Sequence, residues 1–219
     1  MEKNRGSRVI AIIALIVAVT GLTVGFAAFS NSLTISSSAN VKPDPDTFKV
    51  VFSSSGDVLE TSKVIGKTTT ESGVTVGEAE IVNTGSTPTI SGLTAGFTEP
   101  GTSVTYEFFV HNAGEYEGYL KSINYANVNG ENNPKICTAI DTENTTEALV
   151  SKACEDISLT VKVGDTTATG TESNLSQLLT RKDFTPVTVT INYEDNGNRA
   201  DGDFNVEFGD ISFTYSSAP

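Results

Sequence analysis

Val187-Thr188-Val189-Thr190-Ile191-Asn192-Tyr193 alternates apolar and polar residues without interruption. A period of two sends one set of side chains to a core and the other to water, as in an antiparallel sheet with one wet face. Two further stretches carry the same signature. Ile157, Leu159, Val161 and Val163 alternate with Ser158, Thr160 and Lys162, and Val104, Tyr106, Phe108 and Val110 alternate with Thr105, Glu107, Phe109 and His111. Weaker runs fall at 33–36, 47–53, 74–82, 87–91 and 118–125. Phe204, Val206 and Phe208 share one parity and Ile211, Phe213 and Tyr215 the other, so a β-bulge or sharp bend is expected at Gly209-Asp210. Short strands joined by turn residues predict an all-β protein, an antiparallel β-sandwich of jelly-roll-like topology.

Two short connecting helices are expected within it. NTTEALVSKA (144–153) offers Asn144 and Glu147 as a capping-box variant, and SNLSQLLTRK (173–182) opens on Ser173 or Asn174 and closes on two cations. The Pro43 and Pro45 stretch disfavours helix and ladder alike. The expected organisation is therefore a leader at 1–30, an N-terminal strand and Pro linker at 31–46, and the sandwich at 47–219.

The leader joins the basic start KNRGSR to VIAIIALIVAVTGLTVGFAAF at residues 9–29, an uncharged run long enough to cross a bilayer as a helix. Two fates are open. A signal peptidase cuts between Ser30 and Asn31, or residues 9–29 stay as a membrane anchor. The body is exported in either case. The chain closes on Ser216-Ser217-Ala218-Pro219 without a sorting motif and second apolar tail, so covalent wall attachment there is not expected.

The 219 residues hold 27 acidic and 14 basic side chains, a net charge of −13. Such a chain repels phosphate backbones, which excludes nucleic acid as the default partner. One histidine, His111, leaves no histidine metal cluster and no placed triad, and the alternation puts it on a surface. No cofactor is expected. Asp195 to Asp203 is rich in oxygen ligands, but its spacing departs from the EF-hand and suits a solvated turn. Cys137 and Cys154, the only cysteines, form a candidate disulfide, worth about 3 kcal/mol as a loop closure.

Leu93 to Thr102, the strand Val104 to Val110 and His111-Asn112-Ala113-Gly114 together have the form of an apolar segment, a Pro-Gly turn, an alternating strand and an Asn-x-Gly turn. With the leader's close at Gly25-Phe26-Ala27-Ala28-Phe29-Ser30-Asn31, and the final runs Val187 to Tyr193 and Phe204 to Tyr215, the chain resembles the TasA/camelysin family of exported bacterial surface and biofilm-matrix proteins. The resemblance covers the leader and about residues 93–125 and 187–215. It implies a SipW-type signal peptidase, a jelly-roll sandwich and assembly into fibres at the cell surface or in the matrix. The Cys pair departs from the family. The metallopeptidase classification of camelysin-type proteins does not carry over, because His-Glu-x-x-His is missing.

The leading expectation is a non-enzymatic structural protein whose main partner is itself. Asn31 to Ala39, with Leu33 and Ile35 alternating, is a strand-donor candidate for the open edge of another copy; the same residues equally suit the first strand of their own sandwich. The alternative is a monomeric membrane-anchored binding or adhesin-like module using Tyr116, Tyr119 and Tyr125.

Overall fold

The computed structural model describes residues 48–69, 73–83, 87–128, 133–140, 145–200 and 202–218. The chain divides into two compact units, Met1–Lys42 and Pro43–Pro219. The apolar run 9–29, the Ser30/Asn31 junction, Leu33, Ile35 and the linker 41–46 lie outside the described residues. Among the described residues no helix is long and apolar enough to cross a membrane.

The three alternating stretches become neighbours. β7 (Thr102–Asn112), β13 (Phe184–Tyr193) and β10 (Ile157–Val163) form the centre of a five-stranded sheet, with β1 (Val50–Ser53) beyond β7 and β11 (Thr166–Ala168) beyond β10. All pairs are antiparallel, with Ile191 opposite Val104, Val189 opposite Tyr106 and Val161 opposite Val189. β7 buries every second residue from Thr102 to Asn112, which is the periodicity made physical.

The facing layer holds β2 (Val64–Ile65), β3 (Val74–Val76), β4 (Glu78–Val82), β5 (Thr89–Ser91), β6 (Thr94–Phe97), β8 (Gly118–Tyr125), β9 (Lys135–Ala139), β12 (Gln177–Leu179), β14 (Phe204–Phe208) and β15 (Ile211–Ser216). It comprises a six-stranded sheet, β12-β8-β15-β5-β4-β2, and a four-stranded one, β3-β6-β14-β9. At three places the chain runs from one sheet into the other within two residues: β3 into β4 at Gly77, β5 into β6 at Gly92-Leu93, and β14 into β15 at Gly209-Asp210. With β8 and β9 as a fourth column, the two sheets are one layer creased along a line of glycines. Each glycine sits where a neighbouring column's backbone crowds it. A β carbon on Gly77 would stand 2.6 Å from the Thr94 carbonyl oxygen, and one on Gly209 2.7 Å from the Ala126 carbonyl carbon, while Gly92 has φ +71°. The Phe208 and Ala126 N–H groups carry hydrogen bonds over the crease to Leu93 O (3.0 Å) and Asp210 O (2.8 Å).

Of the two alternatives expected at Gly209-Asp210, a β-bulge or a sharp bend, the structure has the bend. The parity change there is a passage between sheets, and the register irregularity of β15 falls instead between Thr214 and Tyr215. The passage turns Phe204, Val206, Phe208, Ile211 and Phe213 all into the core. Aromatic edges join the layers. Phe52 of β1 meets Phe213 of β15 at 4.9 Å, and Tyr193 of β13 meets Phe204 and Phe97 at 5.5 and 5.8 Å.

One helix is present among the described residues, α1 (Glu147–Glu155), burying Val150 and Ala153. Its N-cap is Thr146, two residues later than the expected Asn144. The second expected helix, 173–182, is corrected to extended chain. Asn174 and Lys182 both have φ 60°, which no α-helix accommodates, and Leu175, Gln177 and Leu179 turn inward at a period of two along β8. The cation at its end serves the β7–β8 turn, with Lys182 Nζ on Ala113 O at 3.0 Å and Glu115 Oε1 at 2.7 Å.

Asn112 closes β7 as a buried amide. Its Nδ2 donates to Tyr116 O (2.8 Å) and Leu179 O (3.2 Å), and its Oδ1 accepts from Gly114 N (3.1 Å). Three tyrosines place their hydroxyls in the interior: Tyr106 donates to Thr94 O, Tyr125 to Ala168 O at 3.1 Å, and the Tyr215 hydroxyl is buried without a hydrogen-bond partner. Burial raises the pKa of each. A folded pKa above the unfolded value of about 10 gives a contribution fully present below pH 10 and lost as pH climbs toward the raised values. Urea midpoints should therefore fall above about pH 10, and tyrosinate absorbance from these residues should appear only with unfolding.

Candidate functional site

An unpaired sheet edge is a row of unsatisfied N–H and C=O groups, the surface on which another strand can add. Two flanks here are occupied. Beyond β1, the Asn83 side chain imitates a strand, its Oδ1 accepting from Phe52 N and its Nδ2 donating to Phe52 O, both at 2.7 Å. Beyond β8 runs the 172–179 segment. Glu172 exchanges two backbone bonds with Ile123 (2.9 and 3.0 Å), Leu175 N reaches Lys121 O (3.0 Å), and β12 completes the cover. Gln177 Oε1 then accepts from Thr166 Oγ1 at 3.2 Å, stitching β12 to β11 of the other layer.

β9 is different. Gly209 N donates to Pro134 O (3.1 Å) and Ile140 N to Asp203 O (2.9 Å), so even-numbered residues of this strand exchange bonds with β14. The backbone groups of Lys135, Cys137 and Ala139 therefore face the other way. Of these, Lys135 N is taken by Asn133 Oδ1 at 3.2 Å. Along this edge lies a groove of about 550 Å³, walled by β9 on one side and by Glu147, Val150, Ser151 and Cys154 of α1 on the other. Their three- and four-residue spacing makes them one face of the helix.

Cys137 and Cys154 line this groove and are joined by a disulfide, with Cα atoms 6.0 Å apart. The bond ties the edge strand to the last turn of α1, three residues before β10 begins in the opposite layer. Lys135 Nζ donates to Ile157 O. Burial holds its pKa below the ordinary lysine value, with the Asp156 and Glu155 carboxylates opposing. A lowered lysine makes stability rise with pH just below the ordinary value of about 10.5, the reverse of the buried tyrosines.

The remaining candidates stay apart from this groove. His111 is half-exposed, stacked on Phe184 at 4.0 Å with its Nδ1 beside Asp183 O at 3.1 Å. In the 195–203 loop, Asn196 bonds Glu194 and Asp156, Arg199 pairs with Glu99 at 3.0 Å, and Asn198 O accepts from Tyr193. Among the described residues no group of three or more His, Cys, Asp or Glu side chains is placed to hold a metal. Tyr116 is exposed, Tyr119 donates to Glu117, and the Tyr125 hydroxyl is turned inward. On the outer face of the four-stranded sheet, Thr75, Gly96, Asn205 and Thr138 form a polar row beside Glu207.

Neither Asn83 nor Lys135 is marked by any pattern in the sequence. The 172–179 cover was readable from the alternation of Leu175, Gln177 and Leu179. Comparison of the chain with family models, curated proteins and solved structures gives no match.

Proposed function

We propose that this chain is an exported, non-enzymatic structural protein of a bacterial cell surface or biofilm matrix, built to assemble with copies of itself into fibres by strand addition. The observation that carries the reading is the contrast between edges. The flanks at β1 and β8 are occupied by Asn83 and by residues 172–179, whereas β9 keeps outward-facing backbone groups along a groove. Natural sandwiches blunt their edges against aggregation, so a strand edge left beside a groove is a place for a partner strand.

The likeness of the leader and of the 93–125 and 187–215 stretches to the TasA/camelysin family supports the same reading, and with it a jelly-roll-like classification of the sandwich. In this reading a SipW-type peptidase cuts between Ser30 and Asn31, and the new N-terminus brings Leu33 and Ile35 forward as a donor strand. The partner is the chain itself. Neither cofactor nor nucleic acid takes part, and a retained 9–29 helix would hold the protein on the membrane.

The test is electron microscopy of the processed chain, beginning at Asn31, at rising concentration. Regular filaments are expected. Deleting residues 31–41 should abolish them while leaving the monomer's melting transition in place. A chain that stays monomeric at every concentration would replace this reading with the membrane-anchored binding module.

A further inference from the structure

We propose that the outer face of the four-stranded sheet β3-β6-β14-β9 is a binding site for a neutral saccharide, which Thr75, Thr138, Asn205 and the Glu207 carboxylate hold by hydrogen bonds. The inference is independent of strand addition, which uses a sheet edge and not this face.

The site is built by register. Thr75, Gly96, Asn205 and Thr138 stand side by side across the four strands, and the next row holds Thr94, Glu207 and Ile136. Residues opposite one another in a ladder share a face, and the buried Ala95 and Val206 alternate with these rows toward the core. Glycine cuts a trough into the outer face. Gly96 places no side chain between Thr75 and Asn205, whose strands are roughly 10 Å apart at two strand spacings. Both neighbours lean over the gap, for a β carbon on Gly96 would come to 3.0 Å from Asn205 Oδ1 and 3.0 Å from Thr75 Cβ. The trough measures about 390 Å³. Small-molecule clefts ordinarily fall between about 300 and 1,000 Å³.

Chemistry selects the occupant. Among the described residues lining the trough there is no lysine, arginine or histidine, and Glu207 is the single carboxylate. With the chain at −13, an anion is repelled. One carboxylate does not make the oxygen cage a hard cation requires. A peptide finds no free ladder in the middle of the face, because β6 and β14 are paired on both sides. What the face offers is side-chain hydrogen bonding. Thr75, Thr138, Asn205 and Glu207 use no side-chain hydrogen bond or ion pair among the described residues, whereas Glu78 and Glu107 on other strands are held by Lys63 and Lys67 at 2.7 and 2.5 Å. Hydroxyl and amide side chains both donate and accept, and a carboxylate only accepts. A sugar is the complement, since each of its hydroxyls donates and accepts at once. Two vicinal hydroxyls meet the two Glu207 oxygens in the bidentate manner that makes charge-assisted bonds strong. The half-buried Ile136 beside Glu207 receives the apolar C–H face of the ring.

The test titrates the isotope-labelled full chain with triacetylchitotriose and with maltotriose, both neutral, and with a sulfated chitotriose, reading amide shifts. At least one neutral trisaccharide is expected to move the Gly96, Asn205 and Thr138 amides to saturation, and the sulfated one to move none. Asn205→Ala and Glu207→Gln should each weaken binding about tenfold, or about 1.4 kcal/mol. Both side chains are exposed, so the melting transition should stay in place. Thr138→Val, at another exposed position, is the shape-conserving probe that stands in for either variant if it melts early. Thr188→Ala, on β13 of the other layer, should bind as the parent does. The inference is overturned if neither neutral trisaccharide shifts these three amides, if the shifts persist undiminished in the variants, or if the sulfated compound binds as tightly. None of these readouts involves filaments, so failure here leaves the strand-addition reading standing, and failure to form filaments leaves this site standing.

Discussion

Gly209→Ala is expected to lower the unfolding free energy by about 3 kcal/mol, the upper part of the range for overpacking. The added methyl would stand 2.7 Å from the Ala126 carbonyl carbon and 3.0 Å from that of Asn127, and both are backbone, so no rotamer change relieves it. Relief would require β8 to move away from β15, breaking the bonds from Ala126 N to Asp210 O and from Gly209 N to Pro134 O. Gly170→Ala is the control. A β carbon there meets nothing within 4 Å and φ is not positive, so its urea midpoint should stay near that of the parent. Equal midpoints for the two variants would mean that the layer is not creased at Gly209.

The second large effect is at Asn112. Asn112→Ala removes one amide that serves Tyr116 O, Leu179 O and Gly114 N, all in the buried closure of the β7–β8 turn. A buried group left without its partner costs about 1–3 kcal/mol, so a loss of about 3 kcal/mol or more is expected in denaturant unfolding. Asn112→Asp keeps the shape but turns two donors into a carboxylate facing two carbonyl oxygens, and should cost at least as much. Native-state hydrogen exchange provides the spatial check. Protection should fall first at Gly114 and along Gln177–Leu179, whose strand is held to β7 through this side chain. A variant as stable as the parent would show that ordered water replaces the amide.

The same residues show why the sequence is readable in some places and opaque in others. Val104 to Val110, Ile157 to Val163 and Val187 to Tyr193 pair with one another over long registers, and each strand's pattern is long enough to declare its period. β2, β11 and β12 have two or three residues, shorter than one repeat of any pattern, and exist because a neighbour holds them. The 173–182 segment had helix-type ends, but its ends are local preferences of a fraction of a kcal/mol each. Lying along β8 buries Leu179 and satisfies the Lys121 carbonyl through Leu175 N, which outweighs them. The parity change at Gly209-Asp210 was legible as a break, whereas its meaning as a crease needed Gly77 and Gly92 beside it, residues distant in sequence. In the groove, the cysteines were legible because they are the only two. The open edge of β9 was not, since an edge is defined by what fails to pair with it.

Asn83 closing β1 has a mechanical consequence. Val50 to Ser53 lie antiparallel to Asn112 to Phe109, so a pull applied at Phe48 along the strand loads the whole ladder in shear instead of opening it one rung at a time. The two Asn83 bonds to Phe52 lie on the opposite side of the same strand and share that load in parallel. Traction on the N-terminal end is therefore resisted from both flanks at once, and the strand yields as a unit or not at all.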